Sequence, residues 1–345
     1  MKTVLVTGGT GYIGSHTVIE LLKDNHNVII IDNYYNSDAS ILERMESIAG
    51  KKIKIYKNDL CNKEKLENIF STNKIDAIIH FAAFKAVAES VSDPLKYYNN
   101  NIISLLNLLS CMEKFNIKKM VFSSSATVYG RNSSYHINEQ QMFDATNPYA
   151  RTKIIAEEIF KELVETNKGW EIISLRYFNP MGAHSSGMIG ESPKGIPNNL
   201  IPYITQVAIG KLNKLYVFGN DYNTSDGTCI RDFIHVTDLA IGHCYALNYI
   251  FENENENYYE PINLGSGQGY SVLQMIENFE EVTGINIPYE ITERRDGDIA
   301  ISLADITKAQ ELLNWSPKHT IYEMCRDSWR WQKYNDNILN SNIYK

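Results

Sequence analysis

The 345-residue chain lacks any apolar run approaching the ~20 residues a membrane-spanning helix needs. Its start, MKTVLVTGGTGYIGSH, offers only Val4 to Val6 before glycines interrupt, so no signal peptide is expected. An excess of positive charge is also missing: 33 Lys and Arg stand against 41 Asp and Glu, a net charge of −8. That balance argues against a nucleic-acid-binding surface, although it leaves room for a small anion site. Cysteine is sparse and unpatterned. Cys61, Cys111, Cys229, Cys244 and Cys325 are odd in number and form no C-x-x-C, which reads as reduced thiols in a cytoplasmic protein. The eight histidines include no H-E-x-x-H and no spacing paired with cysteine, so no metal site is expected. No G-x-S-x-G elbow surrounds the serines, which argues against a hydrolase nucleophile. With 43% hydrophobic and 21% charged residues, the chain also lacks the composition of a disordered protein.

What is present is an alternation of short β-branched runs with longer helical patterns. Thr3–Thr7, Asn27–Asp32, Ile53–Asn58, Ala77–Phe81, Lys119–Ser123 and Glu171–Phe178 read as strands. Being continuously apolar, they suit parallel strands covered on both faces. Helical patterns such as Ser15–Lys23, Lys63–Phe70, Leu95–Lys114 and Tyr149–Glu165 lie between them. The expectation is an α/β fold with a doubly wound parallel sheet, Rossmann-like, beside a smaller mixed α/β domain. After Asn179 the texture changes, and Ser185–Asn199, dense in Gly, Ser, Pro and Asn, reads as a long functional loop. ENENENYYE (252–260) reads as a polar loop, and 335–345 as a frayed end.

The first strand runs into Thr7-Gly8-Gly9-Thr10-Gly11-Tyr12-Ile13-Gly14. Glycines here serve a tight turn, a close approach to pyrophosphate and helix–strand packing. The following helix start offers free N–H groups to phosphates. Asp32 ends the second strand, where an acid accepts from ribose hydroxyls and repels a 2′-phosphate. The cofactor expected is therefore NAD rather than NADP. Asp59, at the end of the third strand, reads either as a second adenosine-side group or as a solvated turn acid.

A second constellation combines Ser123-Ser124-Ser125, at a strand end, with Tyr149-Ala150-Arg151-Thr152-Lys153, a Y-x-x-x-K placed after Pro148 at a helix start. Residues four apart share a helix face. A tyrosine near pKa 10 is a poor base at neutral pH. A neighbouring ammonium and a cationic nicotinamide both favour phenolate, so its pKa is expected to fall. Ser125 can hydrogen-bond the same substrate oxygen. The chemistry implied is removal of a hydroxyl proton as hydride leaves for NAD. Ser123 and Ser124 read as structural, and His80, inside a strand, as a satisfied core histidine.

These features occur with DNYYNS, IHFAAFKAVAESV, SSSATVYG, NPYARTK, LRYFNPMGAH, GIPNNLIPYI, FGNDY, DGTCIRDFIHVTDLA, INLGSG and RRDGD, in order over roughly residues 2–332. On these motifs the chain resembles the extended short-chain dehydrogenase/reductases and, more closely, the UDP-glucose 4-epimerase family. The resemblance implies an NAD-binding domain over 1–180, rejoined around 232–263, and a smaller, interleaved UDP-sugar-binding domain over 181–345. It implies cofactor contacts from Gly8, Gly11, Tyr12, Ile13 and Gly14. Asp32, Asn33, Asn36, Ser37, Asp59 and Leu60 would hold adenosine. Phe81, Ala82, Ala83, Lys85, Asn100, Ser125, Tyr149, Lys153 and Phe178 would meet the nicotinamide half. Tyr149 would be the base, with Ser125 and Lys153 as catalytic partners.

The UDP-sugar would meet Lys85, Ser125, Tyr149, Asn179, Asn199, Leu200, Tyr216, Phe218, Arg231, Arg295, Asp298 and Ser302. Arginine forks suit a diphosphate, and an aromatic ring can stack on uracil. Arg294 reads as structural. The implied reaction is reversible C4 epimerisation of UDP-galactose and UDP-glucose through a 4-keto sugar, with NAD tightly bound. Ser302 stands where some family members carry tyrosine. The small residue leaves room for an N-acetyl group and implies activity on UDP-GalNAc and UDP-GlcNAc, unless other walls exclude them. Related 4,6-dehydratases carry an Asp-Glu pair after the active-site hydroxyl residue, whereas Val128 and Tyr129 follow Thr127 here. The family pairs helices equivalent to Leu95–Lys114 and Tyr149–Glu165 in a homodimer, although such apolar faces can equally pack on the sheet.

Overall fold

The computed structural model describes residues 1–131, 135–253, 257–295 and 297–343. Its first half repeats a strand–helix unit: β1 (Thr3–Thr7), α1 (Tyr12–Lys23), β2 (Asn27–Asp32), α2 (Ser40–Ala49), β3 (Lys54–Lys57), α3 (Lys63–Thr72), β4 (Ala77–His80), α4 (Val87–Ser92), α5 (Pro94–Lys114), β5 (Lys119–Ser125), α6 (Pro148–Glu165) and β6 (Glu171–Tyr177). Then come β7 (Asn179–Met181), α7 (Leu200–Ala208), β8 (Leu215–Phe218), β9 (Ile230–His235), α8 (Val236–Glu252) and β10 (Tyr258–Leu264). The chain closes with β11 (Gly269–Ser271), α9 (Val272–Thr283), β12 (Tyr289–Thr292), β13 (Ile301–Ser302), α10 (Thr307–Leu313) and α11 (Ile321–Ile343).

Seven strands form one parallel sheet in the order β10-β6-β5-β4-β1-β2-β3. Alternate residues of each strand serve opposite cores. Val4 and Val6 meet α1 and α8 on one face, while Leu5 meets α3, α5 and α6 on the other. Both faces being covered explains why the strands read as unbroken apolar runs. Helix starts follow local chemistry: Asp93 caps α5 and Asn147 caps α6, each followed by proline at the first helical position. A smaller core packs α7, α9 and α11 against β8 and β9 around Ile204, Val217, Phe233 and Phe279. β9 is central there, flanked by β7, β11 and β13, while β8 pairs with β12.

The strand order reverses between β1 and β4, and in doubly wound sheets the crevice past that point is where ligands sit. Deeper in the fold, a buried ion pair fixes α6 on the sheet. Arg176 of β6 reaches Glu157 of α6 through Nε at 3.1 Å and Nη2 at 2.5 Å. Glu157 also accepts from Ser124 (2.5 Å) and Tyr259 (2.6 Å), and Arg176 Nη1 donates to Tyr129 (2.9 Å). Ser124 is structural, as its sequence position implied.

Two expectations need correction. Tyr258–Glu260 open β10 rather than lying in a polar loop, because they pair in parallel with Glu171–Ile173; residues 254–256 of that stretch lie outside the described residues. The chain end does not fray from residue 335: α11 continues to Ile343, with Trp331 buried, and residues 344 and 345 lie outside the described residues.

Removing one partner of a buried pair leaves a charge without compensation. Arg176→Met is expected to lower unfolding free energy by about 3–5 kcal/mol in urea titration. Pairing it with Glu157→Leu should recover part of that loss; equal losses in the single and double variants would contradict this account.

Candidate active site

The glycine turn is sterically dictated. Gly8 has φ +69°, and a Cβ there would fall 2.8 Å from Ala82 N. A Cβ on Gly14 would fall 2.3 Å from Gly8 O. Gly11 caps α1 without a side-chain hydrogen bond, so the first-turn N–H groups near Tyr12 and Ile13 have no side-chain cap. Asp32 ties this turn to the next loop, accepting from Thr10 N at 3.1 Å and Tyr34 N at 2.8 Å. Ser37 and Thr10 share a 2.7 Å hydroxyl bond, and Asn33 donates to Asp59 at 2.9 Å. Asp59 also accepts from Cys61 N at 2.8 Å. Asp59 is exposed, closes its own turn onto Cys61 N, and also joins this cluster through Asn33. Leu60 is buried beneath it, and Asn36 is exposed. A glycine cradle that admits no Cβ, beside uncapped N–H groups and a carboxylate at the end of β2, fits a dinucleotide.

On the other side of the switch point, Phe81 N and Ala82 N bond Thr7 at 3.0 and 3.4 Å. Half-buried Ala83 follows, and Phe84 is held at both backbone groups by Asn101, which also donates to Thr152. Asn100 donates to Asn101 at 2.9 Å. Asn101 organises this loop but carries no motif that marks it in the sequence. His80 is a satisfied core histidine, bonded to Thr7 at 2.6 Å and held by burial down to about 3.

Ser125 ends β5 and caps the short 3-10 turn Ala126–Tyr129, accepting from Thr127 N (3.2 Å) and Thr127 Oγ1 (2.9 Å). Its own hydroxyl hydrogen remains available, and it interacts with the Tyr149 phenol. Tyr149 sits in the first turn of α6. Lys153, one turn later, is buried and donates to Ser123 O at 2.5 Å, with Nζ 5.8 Å from the Tyr149 ring centre.

In the protein alone, burial dominates the electrostatics of both groups. Burial raises the Tyr149 phenol above its ordinary value, opposed by Ser125 and by the Lys85 ammonium. Burial also pushes Lys153 down to about 7, opposed by Glu157. Lys85 is a protein cation that favours the Tyr149 phenolate against burial, and the fall expected from sequence also counts on the nicotinamide charge.

The second half of the chain brings another set together. Arg231 Nη2 lies 3.5 Å from Asp298, and Arg295 bonds the same carboxylate at 3.0 Å. The Arg295 guanidinium sits 5.7 Å from the Phe218 ring centre. Tyr216 and Phe218 are exposed, alternating with buried Leu215 and Val217 along β8. Ser302 pairs in register with Arg231. Arg294 instead binds Asp221 at 2.7 Å, the structural role read from sequence. Asp296 of RRDGD lies outside the described residues. Phe178 is buried, with its N–H donating to Leu264 O at 3.1 Å; Asn179 begins β7. Asn199 caps α7 before Leu200, and its amide donates to Glu191 at 2.8 Å.

Sequence reading missed Asp232. This fully buried carboxylate accepts from Ser266 N, Gly267 N and Ala304 N, and burial raises it to about 6. Its place directly after Arg231 was the available signal. No group of three or more His, Cys, Asp or Glu among the described residues could hold a metal ion.

The family model for GDP-mannose 4,6 dehydratase matches residues 5–328. The UDP-glucose 4-epimerase of Bacillus subtilis is 52% identical over 334 residues, covering 97% of this chain and 98% of that protein. The chain belongs to the UDP-glucose 4-epimerase family. Two crystal structures of the family agree. The Stenotrophomonas enzyme, with NAD and formylated UDP-arabinopyranose, matches with TM-score 0.95 and 44% identity, over 98% of this chain and 100% of that one. The Bifidobacterium longum enzyme, with NAD+ and UDP, matches with TM-score 0.92 and 48% identity, over 97% and 99%. The dehydratase description reflects the shared scaffold of this epimerase family, whose members are NAD-dependent isomerases.

Lys153 supplies a pH test. A lysine held near 7 in the fold, but at 10.5 when free, is penalised below pH 7 and relieved between 7 and 10.5. Lys153→Met should therefore gain stability over the native chain most at low pH. The gap should shrink by roughly 1–3 kcal/mol between about pH 6.5 and pH 9.5 in urea unfolding without added nucleotide. A constant gap would contradict the assignment.

Proposed function

We propose that this chain interconverts UDP-galactose and UDP-glucose by inverting C4, using tightly bound NAD. The observation that carries the reading is Tyr149, in the first turn of α6, set against Ser125 at the end of β5, beside a switch-point crevice built for a dinucleotide. Gly8, Gly11, Tyr12, Ile13 and Gly14 would hold the pyrophosphate. Asp32, Asn33, Asn36, Ser37, Asp59 and Leu60 would hold adenosine. Phe81, Ala82, Ala83, Lys85, Asn100, Lys153 and Phe178 would border the nicotinamide half.

Arg231 and Arg295 would grip the diphosphate, since their forks match paired phosphate oxygens, with Asp298 spacing them. Phe218 and Tyr216 would border uracil, and Asn179, Asn199 and Leu200 the remainder of the nucleotide-sugar. Grip on UDP leaves the sugar free to turn, so binding energy comes from the part that does not react.

Tyr149 Oη removes the 4-hydroxyl proton, and Ser125 donates to the same oxygen. NAD, when bound, supplies the hydride acceptor and the later donor, through a 4-keto sugar. After the sugar presents its other face, Tyr149 returns the proton to the 4-oxygen, and no net oxidation remains.

In this reading, residues 1–180 with 232–263 form the NAD-binding domain, and the rest of 181–345 forms the UDP-sugar domain. The enzyme works in the cytoplasm. Leu95, Ile103 and Leu106 expose apolar surface along α5, which supports a homodimer through α5 and α6; sedimentation velocity would read a monomer if this is wrong. Ser302 beside Arg231 supports acceptance of UDP-GalNAc and UDP-GlcNAc, because a small side chain leaves the sugar pocket open.

Kinetics on the four UDP-sugars test the whole reading. Tyr149→Phe should lower kcat on UDP-galactose by about 10²–10⁴. Ser302→Tyr should abolish conversion of UDP-GalNAc while sparing UDP-galactose. Loss of both, or of neither, would refute the pocket role of Ser302.

A further inference from the structure

The loop that follows β7 reaches the first half of the chain, where Lys194 Nζ donates to Tyr35 O at 2.6 Å and Arg44 Nη1 to Met188 O at 3.5 Å. Its backbone bends back on itself through the Ala183–Gly190 bridge. Gly190 lies against α11, where a Cβ would fall 2.4 Å from Trp331 Cγ. Trp331 Nε1 donates to Glu191 O at 2.8 Å, and Asn335 donates to Ser192 Oγ at 3.3 Å. The Glu191 backbone is thus fixed independently of its side chain. That side chain, only 12% exposed, turns toward Lys85 and Asn199. One oxygen, Oε1, accepts from Lys85 Nζ at 3.0 Å and from Asn199 Nδ2 at 2.8 Å. Lys85 comes from the loop after β4 and Asn199 from the cap of α7, so a single carboxylate joins the cofactor side to the nucleotide-sugar side.

We infer that Glu191 is a positioning residue that holds Lys85 beside Tyr149 and fixes which face Asn199 presents to the substrate. The inference deepens the epimerase reading and rests on it. A carboxylate offers only acceptors, so Asn199 must turn its amide N–H toward Glu191 and its carbonyl oxygen away. Lys85 is half-exposed on a flexible stem, and Glu191 supplies the hydrogen bond that anchors its Nζ. The anchored ammonium acts on Tyr149, favouring the phenolate that burial disfavours. The other titratable groups around Tyr149 are Lys153, Tyr97 and Tyr177, and Tyr12 lies beside Glu191. Tyr12 donates to Gly182 O at 2.7 Å, which leaves Glu191 to its two partners. Lys85 stays charged when Glu191 is replaced, so what Tyr149 loses is the placement of that ammonium, which the 3.0 Å bond to Glu191 holds.

Glu191→Gln keeps the backbone bond to Trp331 and removes the charge. The native enzyme is assayed first on UDP-galactose; absence of epimerisation there would refute the epimerase reading itself. Given native activity, the acid limb of kcat/KM in Glu191→Gln should move up by about half a pH unit. In a Lys85→Met background the same change should move it no further. Calorimetry with UDP should show affinity reduced about three-fold, as the Asn199 amide is freed to flip. An unmoved acid limb with unchanged UDP affinity would overturn the inference. So would a pH-independent loss of the same factor with or without Lys85, because a merely structural loop residue would behave that way.

Discussion

The Glu157 carboxylate has no access to solvent, and it is tolerable in the fold because Arg176, Ser124 and Tyr259 satisfy it. Those partners come from β6, β5 and β10, three adjacent strands of the parallel sheet. The pair therefore fixes where α6 lies on the sheet. Tyr149 and Lys153 sit on the first turns of that helix, and Ser125 directly follows Ser124. The placement of Lys153 and Tyr149 depends on this buried charge, one and two turns away from them.

A second constraint is backbone proximity. Gly8 and Gly14 approach each other and Ala82 so closely that no side chain fits. The first helix can then aim its uncapped N–H groups into the crevice at the switch point. The two halves of the crevice are joined by short polar links: Tyr12 to Gly182, Lys85 to Glu191, and Asn199 to the same carboxylate. The first two links join a group from the sheet side to the segment after β7, and the third ties that carboxylate to the cap of α7.

The parallel sheet was legible because both-face burial leaves its mark as unbroken apolar runs, and the glycine turn because sterics demand glycine in a fixed spacing. Tyr149 and Lys153 were legible as an i, i+4 pair behind Pro148. Tyr258–Glu260 were not: a polar stretch precedes them, and their strand character comes from pairing with β6, a contact remote in sequence. Asp232, Glu191 and Asn101 were hidden for a related reason. Each makes at least one bond 34 to 106 residues away along the chain, and beyond the place of Asp232 after Arg231 no local pattern marks them. Burial, which opposes phenolate at Tyr149, is likewise invisible in sequence.

The account's central claim is that hydride leaves C4 and returns to the same carbon without entering solvent. Proton NMR of UDP-galactose conversion in D₂O, with the protein as purified and no added nucleotide, tests it directly. The account predicts UDP-glucose that retains protium at C4. Deuterium at C4 would mean that the carbon exchanges a proton with solvent, and would contradict it.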